Sequence, residues 1–272
     1  MLRFEREINM PGAPSTSTLD RQPICRSINL SVPLSATLTL RADDVHLWHA
    51  TLDDRLVDRL EPLLSEDERM KAKRFRFDKD RNHYIVARGL LRTILASYLH
   101  IGPSELRFSY ADKGKPNLEH CDDNNSLKFN LAHSHEMAIY AISRARELGV
   151  DLEFVRDDLA DESVAERFFS PTEVAALRAL SPEVRKRAFF NCWTRKEAYI
   201  KARGEGLSMP LNQFDVSFAP NAPAVLLKNH VDPNEVSRWS MQAVPVGPDY
   251  IAALVVEGFG WRLSTFHVKL DS

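Results

Sequence analysis

In the stretch FFNCWTRKEAYIKARGEGL, residues 189–207, a carboxylate and an ammonium stand among aromatic and aliphatic side chains. At 100° per residue, Phe190, Trp193, Glu197, Ile200 and Lys201 fall on one narrow helical face. Burying charge without compensation is costly, so Glu197 and Lys201 need a partner on that face. They can serve each other, because a Glu four residues before a Lys is the favourable orientation, contributing roughly a few tenths of a kcal/mol. That pair accounts for both charges but not for their place in the stripe. A metal ion is the other solution, and an acidic pair elsewhere in the chain would complete its shell. In GVDLEFV, residues 149–155, Asp151 and Glu153 are two apart on a strand, so they share one face while Leu152 takes the other. They are either solvated acids on an exposed face or, around a cation, half of an all-oxygen site suited to Mg²⁺ or Mn²⁺. Glu197 would be the third acid.

Groups able to hold phosphate are plentiful. Residues 185–203 carry Arg185, Lys186, Arg187, Arg195, Lys196, Lys201 and Arg203 against the single acid Glu197. Residues 69–92 are similarly basic and include Lys71 and Arg88. DKGKPNL, residues 112–118, is a turn in which Lys113 and Lys115 flank Gly114. Glycine permits close backbone approach and lysine supplies a point charge, a cradle for an oxyanion. Each cluster taken alone also reads as a solvated charged face. FNLAHSHE puts His133 and His135 on one strand face. No further histidine or cysteine completes a zinc site around them, so a hydrogen-bonding role, such as holding a phosphate, is the better reading of a histidine there.

These residues must be positioned by a soluble globular chain. Of 272 residues, 44% are hydrophobic and 27% charged, and the net charge of −2 offers no global basic field for nucleic acid. Cys25, Cys121 and Cys192 are scattered, without a C-x-x-C pair, which favours a reducing cytoplasm over a disulfide framework. No apolar run approaches the roughly 20 residues of a membrane span, and no secretory signal is evident. Residues 1–40, with PGAPSTSTLDRQP, read as a flexible extension, although SINLSVPLSATLTL alternates weakly like a strand.

From residue 41 on, helices and strands alternate in two similar passages. Ser65 and Glu68 form a capping box over a basic helix. A second helix, DKDRNHYIVARGLLRTILASYLHIG, is stopped by Gly102 and Pro103. Strands follow in LRFSY, SLKFNLAHS, EMAIYAIS and GVDLEFV. Another capping box, Ser170 with Glu173, opens the second passage. The helix after it has Ser181 as N-cap, Pro182 in its first turn and Gly204 past its end, about 33 Å of continuous helix. NQFDVSF, WSMQAVPV and YIAALVVE then read as strands. The expectation is an α+β fold of two packed halves, 41–148 and 149–272.

In order along the chain, KGKP, FNLAHS, GVDLE and WTRKEAYIKARGEGL resemble the motifs of the Sfp-type 4'-phosphopantetheinyl transferases, over roughly residues 45–265. The resemblance implies pseudo-twofold symmetry of the two halves, with the active site in the cleft between them. It implies transfer of phosphopantetheine from coenzyme A to a serine of an acyl, peptidyl or aryl carrier protein, with Mg²⁺, releasing adenosine 3',5'-bisphosphate. Asp151, Glu153 and Glu197 would surround the metal, Lys201 would lie near the pyrophosphate, and Glu197 near the attacking serine. Lys113, Gly114 and Lys115 match the coenzyme-contacting loop, and His133 a phosphate-binding histidine. Lys71 matches a lysine that reaches the 3'-phosphate, a task Arg88 would share. Such an enzyme is expected to be a cytoplasmic monomer without nucleic-acid or membrane partners.

This chain departs from that pattern twice. Ala132 stands where a serine usually precedes the histidine, and Glu68 where a second lysine can stand near Lys71. A non-catalytic coenzyme A or nucleotide-binding protein on the same scaffold is the competing reading. It would keep the lysines and His133 but lose a carboxylate, and all three acids are present. An unrelated metal-dependent phosphohydrolase is a third.

Overall fold

The computed structural model describes residues 24–29, 38–111, 113–119, 127–156, 162–219 and 221–269. The chain passes through β1 (Ile24–Asn29), β2 (Asp44–Thr51), α1 (Val57–Leu60), α2 (Glu66–Ala72) and α3 (Asp78–Leu99). Next come β3 (Phe108–Tyr110), β4 (Pro116–Leu118), β5 (Leu127–Ser134), β6 (Met137–Arg144) and β7 (Leu148–Phe154). Helices α4 (Glu162–Phe168), α5 (Pro171–Arg178) and α6 (Pro182–Arg203) precede β8 (Phe214–Val216) and β9 (Leu226–Asn229). α7 (Glu235–Arg238), β10 (Trp239–Val244), β11 (Tyr250–Glu257) and β12 (Arg262–Lys269) complete the described chain.

Local chemistry sets the helix ends. Ser65 N donates to Glu68 Oε2 at 2.9 Å to open α2. Ser170 and Glu173 exchange bonds of 2.9 and 3.2 Å to open α5. α6 starts with Pro182 and ends where Gly204 turns left-handed at φ 71°. α3 stops at His100, itself left-handed at φ 56°, two residues before the expected Gly102–Pro103 stop.

Among the described residues the strands form a five-stranded sheet, β1-β12-β2-β6-β5, a three-stranded sheet, β10-β11-β7, and two short hairpins. Strict alternation of side chains makes four layers. Trp48, Tyr140 and Ile142 face Leu90, Leu91 and Ile94 of α3 in one core. Ile251, Ala253 and Val255 face Phe190, Tyr199 and Ile200 of α6 in another. The opposite faces of both sheets, through Leu47, Ile139 and Ala141 against Val150, Leu152 and Leu254, meet in a third. Each unit is therefore a sheet backed by one 22-residue helix, α3 or α6. This is the α+β architecture of two similar units expected from the sequence.

Two features depart from the expected boundaries. β12, from the far end of the chain, lies in the first sheet, parallel to β2. The division into 41–148 and 149–272 is thus crossed in space by residues 262–269. Within the expected flexible extension, Ile24–Asn29 pair with β12 as a parallel strand. The remainder of that extension, save residues 38–40, lies outside the described residues.

Candidate active site

Gly149 begins the site. A Cβ built there would lie 2.2 Å from Ala198 O and 2.2 Å from Ala202 N, so only glycine lets β7 pack directly on the α6 backbone. Two and four residues on, Asp151 and Glu153 point from the same strand face toward Glu197 and Lys201 of α6. The stripe predicted on α6 is present, with Phe190 and Ile200 buried, Trp193, Glu197 and Lys201 half-buried.

Lys201 does not serve Glu197. Its Nζ donates to Asp151 Oδ1 at 2.6 Å. Asp151 is buried, its Oδ2 has no hydrogen-bond partner, and neither has the buried Glu197 Oε1. Glu153 Oε2 accepts from Ser134 Oγ of β5 at 3.0 Å. Burial pushes the Glu197 carboxyl up to about 7, and the charges of Asp151 and Glu153 push the same way against Lys201. Burial also raises Asp151, against the pull of Lys201, and burial and then Asp151 raise Glu153. The three acids therefore form one electrostatic cluster whose nearest ammonium is Lys201.

The chemistry of this donor set suits a divalent cation. Two opposed elements offer buried carboxylate oxygens without partners, the donors are all hard oxygens, and mutual repulsion is what a cation would relieve. Among the described residues no three carboxylates, imidazoles or thiols are gathered as tightly as metal ligands are. In this arrangement Lys201 and Ser134 hold Asp151 and Glu153.

His133 follows Ala132 on β5. Its ring reaches solvent, yet it is enclosed enough that burial, then the charges of Lys201 and His83, pull its pKa below the ordinary imidazole value. The charges that act on it are those of Lys201 and His83. Ala132 lies on the other face of β5, buried in the apolar layer between the sheets. A hydroxyl there would enter that layer rather than stand beside His133.

The other candidates divide. Lys71 is exposed, its Nζ 5.4 Å from the Tyr84 ring centroid. Lys113 and Gly114 are exposed on the loop before β4, with Gly114 at φ 83°. Lys115 is drawn inward, donating to Glu147 Oε2 at 2.9 Å, Leu148 O at 3.3 Å and Ala202 O at 3.2 Å. All its donors are used to brace that loop against β7 and the end of α6. Arg88 is buried, paired with Glu68 and donating to Tyr110 Oη at 2.8 Å. Glu68, besides closing its capping box, accepts from Arg92 Nε at 2.6 Å. The Glu68 departure thus belongs to a buried network that locks α2 to α3.

The basic run of α6 is not one phosphate face. Lys196 is fully buried behind the helix, 2.7 Å from Glu173 and bonded to Leu211 O and Phe214 O. Arg195 is buried too, bound to Ser217. Conversely, Gly149, Ser134 and His83 stand at the site without having been singled out. The G-x-D-x-E and H-S patterns carried the first two, whereas His83 had no signal.

Comparison with known proteins finds relatives across both units. Residues 147–255 match the 4'-phosphopantetheinyl transferase superfamily, and residues 47–145 match the 4'-phosphopantetheinyl transferase N-terminal family. The chain is 37% identical over 238 residues to 4'-phosphopantetheinyl transferase HetI of a Nostoc species, covering 87% of this chain and 97% of that protein. It is 32% identical over 203 residues to putative 4'-phosphopantetheinyl transferase slr0495 of Synechocystis, covering 75% and 80%. It is 33% identical over 159 residues to a 4'-phosphopantetheinyl transferase of Bacillus subtilis, covering 58% and 68%. With both units matched, and a relative at this identity spanning nearly its whole length, the chain belongs to the 4'-phosphopantetheinyl transferase family.

Proposed function

We propose that Asp151, Glu153, Glu197 and Lys201 carry out transfer of 4'-phosphopantetheine from coenzyme A to a serine of an acyl, peptidyl or aryl carrier protein. The observation that carries this assignment is the pair of partnerless buried oxygens, Asp151 Oδ2 and Glu197 Oε1, offered by facing elements. Asp151, Glu153 and Glu197 would hold Mg²⁺, or Mn²⁺ in its place. When bound, the ion neutralises charge on the pyrophosphate oxygens.

The serine hydroxyl is far too weak an acid to ionise at neutral pH, so it needs a base as it attacks. Glu197, with its buried Oε1 free of a hydrogen-bond partner, is the base the site offers. The serine oxygen bonds to the phosphorus of the phosphopantetheine group while the bond to the bridging pyrophosphate oxygen breaks. Glu197 takes the serine proton, and adenosine 3',5'-bisphosphate leaves. Lys201 stands at the acidic cluster to donate to the departing oxygen. His133, neutral, donates an N–H to phosphate. Lys71, Lys113 and Gly114 face the nucleotide, Lys115 fixes their loop, and Arg88 approaches the 3'-phosphate only as far as Glu68 permits.

The scattered cysteines assign the chain to the cytoplasm, where it would act as a monomer. No described helix is long and apolar enough to cross a membrane. Incubating the full chain with coenzyme A, Mg²⁺ and an apo carrier protein tests the reading. A carrier mass gain of one phosphopantetheine group on its serine is expected. Hydrolysis of coenzyme A with the carrier unmodified would assign a hydrolase instead, and coenzyme binding with neither reaction a binding protein.

A further inference from the structure

β5 and β7 are edge strands of different sheets, and no backbone ladder joins them among the described residues. Edge N–H groups left open are costly when buried and need other acceptors. Side chains provide them. Val150 N donates to Asn130 Oδ1 at 2.9 Å, and Phe154 N donates to Ser134 Oγ at 3.0 Å. Both inter-strand bonds join residues 20 apart, so the strands run in one direction in a single register. Ser134 does more than Asn130. While its oxygen accepts from Phe154 N, its hydroxyl proton goes to Glu153 Oε2 at 3.0 Å.

We propose that Asn130 and Ser134 are positioning residues that set the register of β5 on β7, and that Ser134 also aims the Glu153 carboxylate at the cation site. The inference rests on the functional reading above. Its physical basis is that a one-residue slip along a strand displaces side chains by about 3.3 Å and reverses their face. His133 comes from β5 and the acids from β7, so the phosphate-binding and cation-binding groups keep their spacing only if this seam holds. Glu153 has a flexible side chain among like charges, and the Ser134 hydroxyl is the donor that fixes it.

Ser134→Ala, Ser134→Cys and Ser134→Thr in the full chain separate positioning from plain stability. The readouts are Mn²⁺ affinity of the coenzyme-free protein by electron paramagnetic resonance, half-saturating Mg²⁺ for transfer, kcat at saturating Mg²⁺, and Tm. Loss of a hydrogen bond to a charged group should weaken Mn²⁺ binding and raise half-saturating Mg²⁺ by about tenfold in Ser134→Ala. Its kcat at saturating Mg²⁺ should stay within about threefold, as an interaction that acts through metal binding requires. Thr restores both metal constants, and Cys, a weaker donor of similar size, falls between, so the series stands even where the alanine variant folds poorly. Wild-type Mn²⁺ affinity in Ser134→Ala, with only Tm lowered, would overturn the proposal. That result in the variant, beside a wild-type chain that modifies the carrier, refutes the positioning role alone. A wild-type chain that neither binds Mn²⁺ nor modifies the carrier removes the reading beneath it.

Discussion

At the scale of single residues, Glu197 sits where its ionisation works against the fold. Its carboxyl is raised from 4.5 to about 7, chiefly by burial and then by Asp151. The folded state therefore holds a proton that the unfolded chain has lost. The associated stability is fully present below pH 4.5 and disappears as pH rises through about 7. In chelator, Glu197→Gln should melt a few degrees above wild type at pH 8 and level with it near pH 4.5, by scanning calorimetry. A pH-independent difference would mean that Glu197 is not strained by its neighbours. Ala132 gives a second prediction. Its Cβ lies in the apolar layer between the sheets, so Ala132→Ser places an unpaired hydroxyl there, costing about 1–3 kcal/mol. Thermal melting should show the loss, and KM for coenzyme A should not fall. A clear drop in KM would place the new hydroxyl beside His133 after all. The acids and Lys201 were legible in the sequence because their types and spacing are unusual for an apolar face. The Asp151–Lys201 pair was not, since nothing local joins residues 50 apart. Arg195 and Lys196 misled for the opposite reason: a charge run reads as exposed until distant acceptors such as Glu173 bury it.

At the scale of elements, β7 against α6 is the contact that makes the site, and Gly149 decides its spacing. The atoms that a Gly149→Ala methyl would meet at 2.2 Å are backbone, which cannot rotate away. Overpacking typically costs about 1–3 kcal/mol, and each kcal/mol lowers Tm by roughly 2–4 °C in a chain of this size. A fall of about 5 °C or more is expected. Transfer at a temperature where the variant is fully folded should fall at least about tenfold, because Asp151 and Glu153 are pushed away from Glu197. Normal turnover in a destabilised but folded variant would show that the site tolerates a wider gap. The long helices were readable because Pro182 and Gly204, or an unbroken apolar period, mark their course. The strand edges were not. Period-two alternation assigns faces, and it says nothing about which edge finds Asn130 and Ser134.

At the scale of the whole molecule, the crossing of β12 into the first sheet ties the chain ends together, and no local pattern announces it. β1 pairs with β12, so starting the chain at Arg41 uncovers that edge. Such a truncation should lower Tm by a few degrees while keeping kcat and KM within a few-fold, since neither strand carries a candidate site residue. Loss of transfer in a folded truncated chain would make the extension part of the site. In the proposed function the two units divide the labour: Lys71, Lys113, Gly114 and His133 of the first would hold the coenzyme, and Asp151, Glu153, Glu197 and Lys201 of the second would carry the chemistry. Glu197→Gln separates these tasks, because the amide keeps the size and loses the charge and nearly all the basicity. The most direct measurement is its rate of carrier modification by mass spectrometry at saturating coenzyme A and Mg²⁺, beside its calorimetric affinity for coenzyme A. The predicted result is a fall in kcat of at least ~10²-fold, the usual range for a positioned base, with coenzyme A still bound. A well-folded Glu197→Gln chain that modifies the carrier at a near-normal rate would contradict the account.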